Sequence, residues 1–221
     1  VAVVTVRLYN YFRSSASWRV RIALAWKGLP YEYVSVNLVA NGGEQWSEAY
    51  RQVNPLRAVP TLELDGRRVS ESLAIIDLLE ELHPEPALLP KEPFARAAAR
   101  RLAEAVNAGI QPLQNLRVLK KLETDFGADE DARKAWAGHF NRAGLEVIEA
   151  LLQETAGAYC VGDAVSVADV CLAPQLYSAR RYGVDVATFP TITAIETRLN
   201  ALPAFAGAHP SKQPDCPPEL R

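Results

Sequence analysis

Four small residues, Ser14-Ser15-Ala16-Ser17, stand between a β-rich run and the segment Trp18-Arg19-Val20-Arg21-Ile22-Ala23-Leu24. A serine at the mouth of a helix sets its hydroxyl beside backbone N–H groups that have no helical partner, at the positive end of the helix dipole. Such a place favours an anion, and a thiolate is one. The plain alternative is that Ser15 or Ser17 only caps the helix. No Gly-x-x-x-x-Gly-Lys or Gly-x-Gly-x-x-Gly loop competes for the chemistry, nor does a Gly-x-Ser-x-Gly elbow. His83, His139 and His209 show no metal-ligand spacing, so no metal is expected.

The elements around the serines follow from periodicity and breakers. Val3–Tyr11 is β-branched and aromatic and predicts a strand. A helix from Ser15 to about Lys27 stops at Gly28 and Pro30. Tyr31–Leu38 alternates as a second strand, parallel to the first across the crossover helix. A short helix over Ser47–Gln52 follows, then a strand Val59–Leu64 carrying Pro60 near its start. Asp65-Gly66 turns into the strand Arg67–Val69. A helix opened by Glu71-Ser72 places Leu73, Ile76, Leu79 and Leu82 at helical spacing up to about His83.

Four prolines between Pro84 and Pro93 mark a linker, after which β signals vanish. Helices are expected over Phe94–Leu122, Asp131–Thr155, Ser166–Tyr182 and Thr191–Leu202. Ser166-Val167-Ala168-Asp169 reads as a capping box with Val165 and Val170 as its staple. The proline-rich tail from Pro203 reads as irregular. The fold class is therefore α+β, thioredoxin-like, over residues 1–84, then an all-α helical bundle over 94–221, with 85–93 as linker.

The chain has 221 residues, a formal net charge of -2 and 49% hydrophobic residues, as a soluble globular protein does. That charge gives no reason to expect nucleic acid or an anionic membrane as partner. No transmembrane helix or signal peptide is expected. Three widely spaced cysteines, Cys160, Cys171 and Cys216, fit a reducing compartment, hence the cytoplasm. A thioredoxin-like redox protein carries Cys-x-x-Cys where this chain has Ser14-Ser15-Ala16-Ser17, so disulfide exchange through a protein thiol is not expected. If the protein lacks a thiol of its own at this place, a ligand is one source of it.

The chain resembles the zeta class of cytosolic glutathione transferases, whose typical activity is maleylacetoacetate isomerase. The match includes Ser14-Ser15 with Trp18–Leu24, Asn54-Pro55, Val59-Pro60-Thr61-Leu62 and Ser72-Leu73-Ala74-Ile75-Ile76. It continues through Gly109–Leu116, Tyr159–Asp163 and Gln213-Pro214-Asp215. The family pattern has cysteine after the two serines; this chain has Ala16.

The resemblance implies glutathione as cofactor and a homodimer. Ser14 is implied to donate its hydroxyl to the glutathione sulfur, with Ser15 the second catalytic candidate and, like Ser17, Tyr9 and Tyr11, a rival for that role. A hydrogen bond to a charged group contributes roughly 1.5–3 kcal/mol. A helix N-terminus adds about 0.3–1 kcal/mol, or ~2 when partly buried. One pKa unit is about 1.36 kcal/mol, so the two effects together lower a thiol pKa by roughly one to three units.

By the same resemblance Val59, before a cis Pro60, offers its backbone to the cysteinyl unit. Glu71 and Ser72 hold the γ-glutamyl end, and Gln45 reaches the glycyl end. Gln111 and Asn115, spaced i, i+4 on one helix face, lean over the thiol. The implied reaction is reversible thiolate addition that turns maleylacetoacetate into fumarylacetoacetate in tyrosine breakdown. Its anionic substrate calls for arginines, with Arg13, Arg19, Arg117, Arg180 and Arg181 as candidates. A broader glutathione transferase, an α-halo acid dehalogenase, a maleylpyruvate isomerase and a glutathione-binding scaffold are the alternatives.

Overall fold

The serine-headed helix expected from the sequence is α1, Ser15–Trp26, in a computed structural model that describes residues 6–221. Its residues from Ser17 to Leu24 are all buried, so it lies inside its unit rather than on it. Gly28, at φ +65°, ends it as expected, with Leu29 N–H returning to Leu24 O at 2.9 Å.

Beside α1 runs a four-stranded sheet in the order β2-β1-β3-β4. Strand β1 is Val6–Asn10, β2 Glu32–Ser35, β3 Thr61–Leu64 and β4 Arg67–Ser70. Strand β1 is parallel to β2, with Tyr9 opposite Val34, and antiparallel to β3, with Tyr9 opposite Thr61. Strand β4 folds back on β3 around Asp65-Gly66. The start of the strand expected at Val3–Tyr11 lies outside the described residues.

The strands are shorter than the alternation suggested, for local reasons. After Val36 N–H bonds Asn10 O, the Asn37 side chain takes the Val39 and Ala40 N–H groups and turns the chain away. Pro60 has no N–H, and β3 begins just after it. Helix α2, Glu48–Val53, is capped by Ser47, and α3, Ser72–Leu82, follows β4.

The remaining helices are α4 (Pro93–Glu104), α5 (Leu116–Phe126), α6 (Glu130–Thr155), α7 (Val167–Arg181), α8 (Pro190–Asn200) and α9 (Pro203–Ala208). The capping box at Ser166 and Asp169 is present. One helix was expected from Phe94 to Leu122, but the chain breaks it. A π turn over Ala105–Ile110 and a 3-10 turn over Gln111–Gln114 separate α4 from α5. Pro112 explains the break, since it can donate no helical hydrogen bond and its ring crowds the preceding turn.

Two compact units emerge: Val1–Ala87 together with Leu202–Arg221, and Leu88–Ala201. The tail, expected to be irregular and to belong with residues 94–201, instead forms α9 and packs with the first unit. A buried cation is one of the groups that hold it there. Arg21, 1% exposed, donates to Ala208 O from Nε at 3.2 Å and from Nη2 at 3.1 Å. No described helix is long and apolar enough to cross a membrane.

Candidate functional site

The turn Tyr11–Ser14 carries the chain from β1 into α1. Ser14 N–H closes it on Tyr11 O at 3.0 Å. Arg21, one and a half turns into α1, reaches back and donates to Tyr11 O at 3.3 Å, Phe12 O at 2.8 Å and the Asn10 side chain at 3.1 Å. Its guanidinium thus satisfies carbonyls that neither sheet nor helix can pair. Burial pulls its pKa down to about 10, which leaves it charged at neutral pH.

Ser14 is the N-cap of α1. Its Oγ accepts from Ser17 N–H at 3.2 Å. That bond uses a lone pair and leaves the hydroxyl proton to donate elsewhere. Capping and anion binding are therefore compatible roles of one side chain. Ser15 and Ser17 are buried, whereas Ser14 is half-buried and keeps access to a ligand. Ser17 Oγ is enclosed with no hydrogen-bond partner among the described residues. Tyr11 packs in a hydrophobic cluster with Phe12, Val36, Tyr50, Val59 and Cys216, with Tyr9 at its edge.

That cluster ties the serine turn to Val59. The Val59–Pro60 peptide is cis. Tyr50 hydroxyl donates to Ala58 O at 2.8 Å and so fixes the chain just before it.

A second link joins the serine helix to α3. Arg19, wholly buried in α1, donates to Ser72 Oγ at 3.1 Å. Ser72 is the first residue of α3, buried, at another helix mouth rich in N–H donors. Glu71 before it is exposed and sits at φ +71°, a conformation that costs of order 1–3 kcal/mol for a residue with a side chain. Arg19 was expected among residues meeting an anionic substrate. It has no exposed surface, and its guanidinium donates to Ser72 Oγ.

Gln45 is buried in a short 3-10 turn, with Nε2 on Leu38 O at 3.4 Å and Oε1 unpartnered among the described residues. It lies so close to Gly43 that a Cβ there would meet its amide at 2.6 Å, and Gly43 also has φ +102°. Ser14 thus keeps a proton to donate and α1 and α3 each present a mouth of N–H donors, all suited to an anion, while the enclosed Gln45 Oε1 is an acceptor.

The second unit holds Gln111, Asn115, Arg117 and Arg180. Gln111 and Asn115 do not share a helix face, because the helix expected to carry both is broken there. Gln111 opens the 3-10 turn, and Asn115 caps α5 by accepting from Arg117 N–H at 3.1 Å. A closed ring of buried amides holds this segment. Asn141 donates to Gln114 at 2.6 Å, Gln114 to Gln175 at 3.3 Å, and Gln175 to Asn141 at 2.6 Å.

Arg180 is clamped to Glu196 by two bonds of 2.6 Å. Arg181 lies over the Tyr182 ring and Arg13 over Phe12. Arg117 is exposed.

Two residues that hold this turn, Arg21 and Asp215, whose Oδ2 accepts from Phe12 N–H at 3.1 Å, had no role in the sequence reading. A signal for Arg21 was present: a charge flanked by Val20 and Ile22, two residues after Arg19, in an otherwise apolar run from Trp18 to Trp26.

Comparison with known proteins supplies what geometry cannot. Residues 8–87 match the family model of the glutathione S-transferase N-terminal domain, and residues 116–203 that of the C-terminal domain. The maleylacetoacetate isomerase of Rattus norvegicus is 50% identical over 214 residues, 97% of this chain and 96% of the rat protein. A bacterial maleyl pyruvate isomerase described as a zeta-class glutathione S-transferase superposes with a TM-score of 0.92 at 43% identity, covering 96% of this chain and 100% of that one. Maleylacetoacetate isomerase from Anaeromyxobacter dehalogenans, solved with glutathione in its active site, gives 0.87 at 46% identity over 97% of this chain and 99% of its own.

Proposed function

Because this chain belongs to the glutathione S-transferase family, in the zeta class with the maleylacetoacetate isomerases, we propose that it is a glutathione-dependent isomerase converting maleylacetoacetate to fumarylacetoacetate. Glutathione, when bound, supplies a sulfur nucleophile whose reversible addition lets a cis double bond beside a carbonyl turn and reform as trans.

The observation that carries the reading is Ser14. Its lone pair is spent on Ser17 N–H, its proton is available, and the turn that bears it is held by Arg21. Ser14 Oγ–H and the head of α1 stabilise negative charge on a sulfur placed there and lower its pKa, by roughly one to three units. Ser72, with its own N–H and hydroxyl at the start of α3, receives the γ-glutamyl carboxylate, and buried Arg19 keeps the Ser72 oxygen engaged as acceptor so that its proton points to the ligand. Glu71 takes the ammonium. Val59 offers its backbone to the cysteinyl unit, and Gln45 reaches the glycyl end. Ser15 supports the turn from a buried position.

A homodimer in the cytoplasm, acting in tyrosine breakdown, completes the proposal. The likeness to a maleyl pyruvate isomerase favours maleylpyruvate as a second substrate.

The test is isomerisation of maleylacetoacetate and of maleylpyruvate with glutathione at catalytic amounts. Turnover that regenerates glutathione is expected, and stoichiometric consumption overturns the reading. Ser14→Ala should lower kcat/KM on the order of a hundredfold, as loss of an anion-stabilising donor does. Its stability should fall by only about 1 kcal/mol, the cost of a lost cap.

A further inference from the structure

The tail brings a carboxylate to the serine turn. Asp215 Oδ2 accepts from Phe12 N–H at 3.1 Å and from Ser35 Oγ at 3.0 Å, and its Oδ1 accepts from Tyr33 hydroxyl. Tyr33 and Ser35 lie two apart on β2, so they share one face of that strand. Phe12 lies two residues before Ser14, inside the turn that Ser14 N–H closes onto Tyr11 O. Arg21 fixes the carbonyls of this turn, and Asp215 fixes the amide that Arg21 cannot serve, since a guanidinium only donates. Burial raises the Tyr33 pKa, so the phenol stays protonated and keeps donating to the carboxylate.

We infer that Asp215 is a positioning residue for the thiol site: the last residues of the chain fasten the turn that aims the Ser14 hydroxyl. The inference rests on the Ser14 role proposed above. It assigns to the tail a task that a mere fold staple would not perform, because a staple would affect stability alone.

The pH titration of thiolate absorbance, followed in the ultraviolet on the full-length protein with glutathione bound, separates the two. In Asp215→Ala the Phe12 amide loses its acceptor and the turn loosens. The apparent pKa of the bound thiol should rise by about half a unit to one unit. Asp215→Asn retains an acceptor for Phe12 N–H, and Tyr33 can reverse its hydroxyl toward the new amide, so its titration should match the unaltered protein. Tyr33→Phe leaves the Phe12 bond in place and should lose stability without shifting the thiol. Should Asp215→Ala not fold, Asp215→Glu keeps the charge and displaces the acceptor by one methylene, and it should shift the titration in the same direction.

An unshifted titration in a folded Asp215→Ala or Asp215→Glu protein overturns the inference. So does a shift in Asp215→Asn or Tyr33→Phe as large as that in Asp215→Ala. If the unaltered protein binds glutathione without producing thiolate near neutral pH, the Ser14 reading itself has failed, and the inference falls with it.

Discussion

Two irregular turns lead into helices in this chain, Tyr11–Ser14 before α1 and Gln111–Asn115 before α5. Each ends on a side chain that caps the helix, Ser14 Oγ taking Ser17 N–H and Asn115 Oδ1 taking Arg117 N–H. The groups that hold them differ. The first turn is fastened by ions: Arg21 donates to its carbonyls and Asp215 accepts from an amide. The second is fastened by a ring of three neutral amides in which each member donates once and accepts once.

Charged hydrogen bonds are roughly twice as strong as neutral ones, so the ionic anchor makes the stiffer turn. The stiffer turn is the one that bears the serine proposed to face the sulfur. The amide ring is exacting in another way. Removing one member leaves two other buried amides each short of a partner.

Substituting the anchors tests that contrast. Arg21→Met should have the largest effect, about 3–5 kcal/mol, because it strips donors from Tyr11 O, Phe12 O, Ala208 O and the Asn10 side chain at once. Denaturant unfolding checks it, and a loss near 1 kcal/mol would mean that the turn holds itself. Asn141→Leu should cost less, about 2–3 kcal/mol, since it opens the ring but removes no charge. Equal losses in the two variants would erase the distinction between the anchors.

The smallest effect is expected at His209, beside the Ala208 carbonyl that Arg21 engages. Burial, with the nearby Arg21 and Lys212 charges, lowers its pKa from the usual histidine value. Its Nδ1 accepts from Ser211 N–H at 3.2 Å, which the protonated ring cannot do. The folded state therefore prefers neutral His209. The stabilisation is complete above the unfolded pKa, about 6.5, and is lost as pH falls through the lower folded value. Thermal midpoints should drop across that window, and His209→Gln should flatten the drop.

Local chemistry made much of the first unit legible. The stop at Gly28, the turn at Asp65-Gly66 and the helix start at Ser72 are each set by a few neighbouring residues, and each appears where expected. The break before α5 is also written locally, in Pro112, which lacks the N–H that a continuous helix needs. Asn115 is therefore a cap rather than a mid-helix side chain. Arg19, Arg117 and Arg180 show the limit for charged residues. All three read alike in sequence, yet one is wholly buried on Ser72, one is exposed and one is locked to Glu196. An arginine reaches far enough to find partners that no local pattern names.

The sequence alone determined the order of elements from β1 to α3, the serine-headed helix and the family to which the chain belongs, because caps, breakers and motifs act over a few residues. Only the tertiary structure decided that Leu202–Arg221 belongs with the first unit and that Asp215 reaches Phe12, 203 residues away in sequence. The reason is physical: a buried carbonyl, amide or guanidinium must find a partner wherever the fold brings one, and sequence separation does not enter that requirement.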